Sequence, residues 1–324
     1  MPGLATKALQ YGLVLWAALT VNFLLPRAMP GSPLPYLVGE EVGSLSAERL
    51  ADVRARYGLD EGLGTQYLRY LGGIARGDWG TSFQLGRPVA EVLRERLPWT
   101  LLLVGTSLLV ATAFGVVAGA LAAWRRGGRF DTASLGGAIV LDALPTFWLG
   151  MILIAVFAVE LRWLPSFGAT TPGVAGGVWA QARDVARHLV LPAAALTGAT
   201  LSGTYLVMRY AMLDVLGQEY VRTARAKGVS ERRLLLGHAV RNALLPVSTV
   251  LFLNLGFLVG GATVVETVFA YPGVGTLLYE AVLSRDYPVL QGAFFVLTVS
   301  VVLANLLADA AYPLLDPRVR RRAG

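Results

Sequence analysis

The chain alternates between long apolar runs and shorter polar intervals. Runs of about 20 predominantly apolar residues, the length at which a helix crosses a bilayer, occur at residues 8–28, 99–123, 133–158, 188–212, 243–268 and 289–314. The pattern predicts an all-α membrane protein with six transmembrane helices, each satisfying its own backbone polar groups. The first 29 residues, with Lys7 ahead of "ALQYGLVLWAALTVNFLL", also have the outline of a cleaved signal peptide. The apolar run is long for that purpose and "LPRAMPG" offers no small-x-small cleavage site, so residues 1–29 read as the first spanning helix.

Composition supports the bilayer as solvent. Hydrophobic residues make up 55% of the 324 positions and charged residues only 15%, against roughly 25% charged in a soluble domain. The net charge of +7 fits either nucleic acid or the excess of Lys and Arg in short cytoplasmic loops, and its distribution decides. Residues 30–98 hold eight Arg against nine acids, net −1, whereas "WRRGGRFD" at 124–131 has three Arg against Asp131, net +2. From Arg209 to Arg241 the net is +4, from 269 to 288 it is −1, and the tail "DPRVRRRAG" carries four Arg against Asp316. Alternation places 30–98 outside, the basic intervals inside and both termini in the cytoplasm, so the positive charge is the mark of cytoplasmic loops and no nucleic-acid partner is expected. Only 159–187, at +1, runs against its outside assignment. No cysteine is present, which excludes disulfides and thiolate metal sites.

The interval between the fourth and fifth runs, "EYVRTARAKGVSERRLLLGHAVRNALLP" at 219–246, is basic and also patterned as helix. A basic loop alone anchors topology against an anionic leaflet. Here residues 219–227 are good helix formers, Gly228 supplies a break, and Ser230 followed by Glu231 has the form of an N-cap with an acidic first turn. Two short helices at an angle are expected. In the second, Leu234, Leu235 and Val240 line one side while Arg232, Arg233 and Arg241 face elsewhere. Such a helix either lies on lipid or docks on a partner, and periodicity leaves both open.

These residues carry a family resemblance. The 219–246 stretch resembles the cytoplasmic signature loop of binding-protein-dependent ABC importer permeases, in the dipeptide, oligopeptide and nickel branch. The general pattern is E-A-A, three residues, Gly, nine residues, I-x-L-P. Arg222, Thr223 and Ala224 stand at the E-A-A positions, with Ala224 matching, and Gly228 stands at the Gly. His238 to Arg241 occupy the register of the closing I-x-L-P, and "ALLP" at 243–246 ends the segment instead, in what looks like the branch's own variant. Residues 56–103 ("RYGLDEGLGTQYLRYLGGIARGDWGTSFQLGRPVAEVLRERLPWTLLL"), "LPTFWLG" at 144–150, "ETVFAYPGVGTLLYEAVLSRDYPVLQG" at 266–292 and "NLLADAAYPLLDPRVR" at 305–320 resemble the same permeases in order, so the likeness covers nearly the whole chain.

The resemblance implies a type I ABC importer permease fold in the inner membrane of a prokaryote. It implies an external segment at 30–98, an ABC transmembrane domain at 99–315 with a cytoplasmic coupling loop at 213–242, and a basic tail at 316–324. It implies a second homologous permease, two cytoplasmic ATPases that bind the ATP, and an external solute-binding protein, with no cofactor on this chain. The ATPase-docking residues it implies are Tyr220, Arg222, Thr223, Ala224, Arg225, Lys227, Gly228 and Ser230. Consistent with that division, the chain has no G-x-x-x-x-G-K-[ST] to cradle phosphates. The implied solute is a peptide, with nickel or another small solute as the alternative. With only His188 and His238, no cluster of metal ligands is visible.

Other signals bear on packing. Gly115 with Gly119, and Gly256 with Gly260, have the spacing that lets helices approach closely, although glycine is common in spanning helices anyway. Pro145, Pro192 and Pro246 fall near or inside spans as hinges or static kinks. Asp142, Glu266 and Asp309 lie in or beside spans, where a charge must sit near an interface, face the interior or hold a partner. In the external segment, "LSAERLADVRARYGL" reads as a short helix capped by Ser46; the segment either covers the pathway mouth and touches the binding protein or folds back onto the partner permease. An intramembrane hydrolase would need a nucleophile beside a base, and no G-x-S-x-G or Ser/His pair is present. An ion-driven transporter would show repeated halves, and none is evident.

Overall fold

A computed structural model describes residues 4–28, 48, 51, 60–174 and 176–315. Regular structure among them is helical apart from one bridge, Thr81 to Pro88. In chain order the helices are α1 (Leu4–Ala28), α2 (Leu63–Arg76), α3 (Val89–Trp124), α4 (Arg129–Ala143), α5 (Thr146–Leu153), α6 (Val178–Gly217), α7 (Glu219–Ala226), α8 (Glu231–Arg233), α9 (Arg241–Val268), α10 (Val274–Leu283) and α11 (Tyr287–Leu315). After α5 and α8 the chain continues without a break as wider π-helical segments, Ile154–Glu160 and Leu234–Val240. Of the expected capped helix near Ser46, only Glu48 and Ala51 are described, both helical; Ser46 itself, the Gly256 and Gly260 surroundings and the 316–324 tail lie outside the described residues.

Among the described residues four helices are long and apolar enough to cross a membrane: Val89–Trp124, Val178–Gly217, Glu231–Phe252 and Tyr287–Ala310. The run expected as one span at 133–158 is instead two helices, α4 and α5 with its π segment, bent by 104°. The cause is local. Proline disfavours the helical region for the residue before it, and Leu144 is extended (φ −85°, ψ 125°) with Pro145 starting the next helix. Pro192 and Pro246, by contrast, lie inside continuous helices. Counting the bent pair as one gives five spans, and the first expected run forms α1, whose apolar stretch Leu9–Leu25 is shorter. The second run also starts earlier than its apolar stretch: α3 begins at Val89, with Pro98 inside it, because Val89, Val92 and Leu93 present one helix face to a core.

The chain divides into two compact units, one within Met1–Thr100 and Pro272–Val302, the other within Leu101–Tyr271 and Leu303–Gly324. In the first, Val89, Val92 and Leu93 pack with Val274, Leu277 and Ala281 of α10 and Val289, Leu290 and Ala293 of α11. Gly292 allows this closeness, since a Cβ there would lie 2.6 Å from a Val89 methyl. Asp286, 2% exposed, caps α11 and fastens the 82–85 turn: its carboxylate accepts from Ser82 Oγ (2.5 Å), Gln84 N (3.1 Å) and Val289 N (3.4 Å). Helix α2 leans on α1 through Phe23 against Tyr67 (5.1 Å between centroids) and a hydroxyl pair, Thr20 with Tyr67 at 2.7 Å.

In the second unit α6 is the central helix, packed by α4, α5 and α9. Gly115 and Gly119 of α3 lie flush against it: added Cβ atoms would stand 2.9 Å from the Thr204 Cβ and 2.6 Å from the Tyr205 carbonyl oxygen. The small-residue spacing in α3 therefore does mark a close helix contact.

Candidate docking loop

Helix α6 stops where Gln218 turns extended (φ −72°, ψ 147°), and α7 follows at once. Val221 of α7 is buried and Ala224 half-buried, while Glu219, Tyr220, Arg222, Thr223, Arg225 and Ala226 are exposed. The helix thus rests on one side chain and presents most of its surface. Its end is closed by Gly228 N donating to the Arg225 carbonyl (3.0 Å) and Val229 N to that of Ala224 (3.2 Å). Gly228 is in the left-handed region at φ +77°, and a Cβ there would meet nothing within 4 Å. Within the chain, glycine is needed for the torsion rather than for space.

Beyond the turn, the Arg225 guanidinium forks onto the Glu231 carboxylate at 3.1 and 3.3 Å, bridging the two arms. Ser230 occupies the position before α8, but its side chain makes no capping bond, contrary to the expectation; its carbonyl instead accepts from Leu234 N (2.9 Å). Leu234 and Ala239 are buried and Leu235 and Val240 half-buried, while Arg232, Arg233 and Arg241 are exposed. Ala239, Ala243 and Val247 pack with Met208 and Met212 of α6 and Ala120 and Ala123 of α3. Asn242 Nδ2 donates to the Tyr220 hydroxyl (3.1 Å) and the His238 carbonyl (2.7 Å), tying α9 back to α7. The eight residues expected to dock are therefore gathered on α7 and the turn after it, and among the described residues only Arg225 of the loop's cations is ion-paired.

Pattern reading missed the pair that underlies this end of the molecule. Arg209 enters the charge count of the basic interval, yet it is only 9% exposed and donates bidentately to Asp131, itself 4% exposed, at 2.7 and 3.0 Å. Asp131 also accepts from Gly127 N (3.0 Å), and Tyr205 meets Ser134 hydroxyl to hydroxyl at 2.9 Å. The signal was present: an arginine inside the apolar "YLVMRYAML" requires a partner. At the other end of α6, Asp184 accepts from Thr171 N and Oγ1 (2.6 and 2.7 Å), and Arg187 donates to the Trp163 carbonyl (3.0 Å). Asp184 and Arg209 are 25 residues apart in one helix, about 37 Å at 1.5 Å per residue, more than the roughly 30 Å of a hydrocarbon core.

The remaining singled-out residues scatter. Asp142 is exposed at the α4–α5 bend, Glu266 is fully buried near the end of α9, and Asp309 is half-buried in α11. His188 is buried with Nδ1 2.9 Å from the Asp184 carbonyl, and His238 is half-buried in the π segment after α8.

The model of the family described as binding-protein-dependent transport system inner membrane component matches residues 115–321. The chain belongs to this family. The permease is 38% identical to the oligopeptide transport system permease protein AppB of Bacillus subtilis (strain 168), over 92% of this chain and 93% of that protein. It is 37% identical to the dipeptide transport system permease protein DppB of Escherichia coli (strain K12), over 93% and 94%. The glutathione transport system permease protein GsiC of Salmonella paratyphi A is 39% identical over 92% of each. In structure the permease resembles the inward-facing MetNI methionine ABC transporter, with a TM-score of 0.56 at 17% identity, over 69% of this chain and 96% of that one. The permease therefore has the ABC importer permease fold. The match at 115–321 contains the candidate docking loop and both members of the Asp131–Arg209 pair.

Proposed function

We propose that this permease forms half of a translocation pathway for peptides handed over by an external binding protein, and that α7 with the turn at Gly228 seats on a cytoplasmic ATPase. The observation that carries the reading is α7 itself, a helix held by Val221 and otherwise presented outward, whose following arm is packed on α3 and α6 through Ala239, Ala243 and Val247. A load applied to α7 reaches α9 through Asn242 and α6 through that packing. Exposed Arg222 and Lys227 supply charge-assisted donors to carboxylates or carbonyls of the ATPase.

The assembly has a homologous second permease, in a heteromer, and two ATPases that bind and hydrolyse ATP. Six spans of the type I arrangement, with both termini in the cytoplasm of a prokaryotic inner membrane, complete the reading. The same-end pairing of Asp131 with Arg209, opposite Asp184, supports placing 124–131 and 209–241 on one side. Peptides as solutes rest on the names of the relatives at 37–38% identity.

The test is ATP hydrolysis by the reconstituted complex. Ala224→Trp and Gly228→Val are expected to abolish solute-stimulated hydrolysis while the permease remains inserted; normal stimulation in either variant sinks the docking role. Peptide uptake in proteoliposomes should need ATP and withstand an ionophore, and ATP-independent, ionophore-sensitive uptake refutes the importer reading.

A further inference from the structure

The two most exposed large apolar side chains among the described residues are neighbours at the start of α6, Val178 at 78% and Trp179 at 89%. Trp163 and Phe167, in the loop leading to that end, are open as well. A cluster of this kind marks an interaction surface, which a single exposed side chain does not. Helix geometry sets Trp179, Arg183 and Arg187 on one face, each one turn and about 6 Å from the next, and all three are exposed. The Arg187 guanidinium donates to the Trp163 carbonyl at 3.0 Å, which fixes the loop beside this face. His188, Leu191 and Ala195 turn the other side of the helix inward.

The cations of this face are not neutralised within the chain. Arg183 makes no ion pair or side-chain hydrogen bond among the described residues, and Arg187 meets only the Trp163 carbonyl. Of the two acids in the interval 159–187, Asp184 is half-buried and held by Thr171, and the exposed Glu160 pairs with no cation among the described residues. The +1 charge that runs against the outside assignment of this interval is thus carried by open guanidinium groups next to indoles.

Position along the helix suits a lipid surface. Trp179 and Arg209 are 30 residues apart in α6, about 45 Å at 1.5 Å per residue, the thickness of a bilayer with its headgroup layers. Tryptophan concentrates at headgroup depth, and arginines there attract anionic lipids. The exposed face also runs on through Val190 and Ala194 into the apolar run, so the medium around that run meets Trp179 at its own boundary.

We propose that the face formed by Trp163, Trp179, Arg183 and Arg187 binds anionic phospholipid headgroups, the indoles seated among the glycerol and carbonyl groups and Arg183 on the phosphate. The inference rests on the spanning placement of α6, and not on the ATPase or the solute.

The chain has no cysteine, so Val178→Cys gives a single site for a fluorophore beside Trp179. The labelled full-length permease is reconstituted in vesicles of phosphatidylglycerol and phosphatidylcholine, with one or the other brominated near its carbonyls as a quencher. Both lipids are expected to quench, phosphatidylglycerol more strongly, and Arg183→Gln should reduce that preference about fivefold. A label at Leu109→Cys, 73% exposed in the apolar run of α3, reports insertion alone. Absence of lipid quenching there overturns the membrane placement and the proposal with it. With Leu109 quenched, a Val178 label reached only by aqueous iodide, or shielded from iodide and lipid alike as a covering protein would shield it, overturns the headgroup site alone. Equal quenching by the two lipids, unchanged in Arg183→Gln, also overturns it.

Discussion

Breaking the Asp131–Arg209 pair tests whether α4 and α6 are fastened by charge inside the protein. In Arg209→Met the carboxylate loses both guanidinium bonds, at 2.7 and 3.0 Å, and keeps only the Gly127 amide. In Asp131→Leu the guanidinium is stranded and Gly127 N loses its acceptor. Stranding one member of a buried pair costs about 3–5 kcal/mol. Both side chains are nearly covered, but Gly127, next to them, is exposed, so about 3 kcal/mol is expected for each single variant. Replacing both by apolar groups removes the uncompensated charge, and the double variant should lie within about 1 kcal/mol of wild type. Denaturant titration of the purified permease in micelles, followed by circular dichroism, gives the three differences, and the cycle then isolates a coupling of about 5–7 kcal/mol. Single losses below about 1 kcal/mol that simply add in the double variant would refute the fastening role.

Gly119→Ala should destabilise the α3–α6 contact by about 1–3 kcal/mol, since the new Cβ would lie 2.6 Å from the Tyr205 carbonyl oxygen. Gly136→Ala, at a helical position with nothing within 4 Å, should be neutral or stabilising by up to about 1 kcal/mol; thermal melting of both variants checks the contrast. Tyr271 is buried and its pKa is pushed up to about 12, first by burial and then by the Glu266 charge, above the ordinary phenol value of about 10. Its contribution to stability is therefore full below pH 10 and lost as the pH rises towards 12. Tyr271→Phe should remove that part of the alkaline decline, read by melting temperature against pH, and an unchanged profile contradicts the assignment.

What could be read from the chain was local. The apolar runs became helices, Gly115 and Gly119 became a contact, and the Gly228 break became a left-handed turn, because each depends on spacing or torsion within a few residues. What could not be read was long-range or a competition between signals. Asp131 and Arg209 are 78 positions apart, and Ser82 and Asp286 are 204 apart; hydropathy assigns such charges to loops because it cannot see a partner. The run 133–158 has the hydropathy of one span, and Pro145 marked a kink or hinge near it; what could not be read is the size of the break, two helices bent by 104° where Pro145 forces Leu144 out of the helical region. Ser230 had the right residue type in the right place, but Glu231 bonds to Arg225 across the turn and the serine side chain makes no cap.

The bend at Leu144 divides the loyalties of a single run of sequence. Helix α4 is moored to the Arg209 end of α6 by Asp131 and by the Ser134–Tyr205 hydroxyls. Helix α5 is moored elsewhere, with Gly150 against Val268 and Phe269 and Leu149 against Gly198. A continuous rod would carry any displacement of one end rigidly to the other. The 104° break at Leu144 instead leaves the two halves with separate sets of neighbours, so a substitution in one set of contacts acts on one half of the run only.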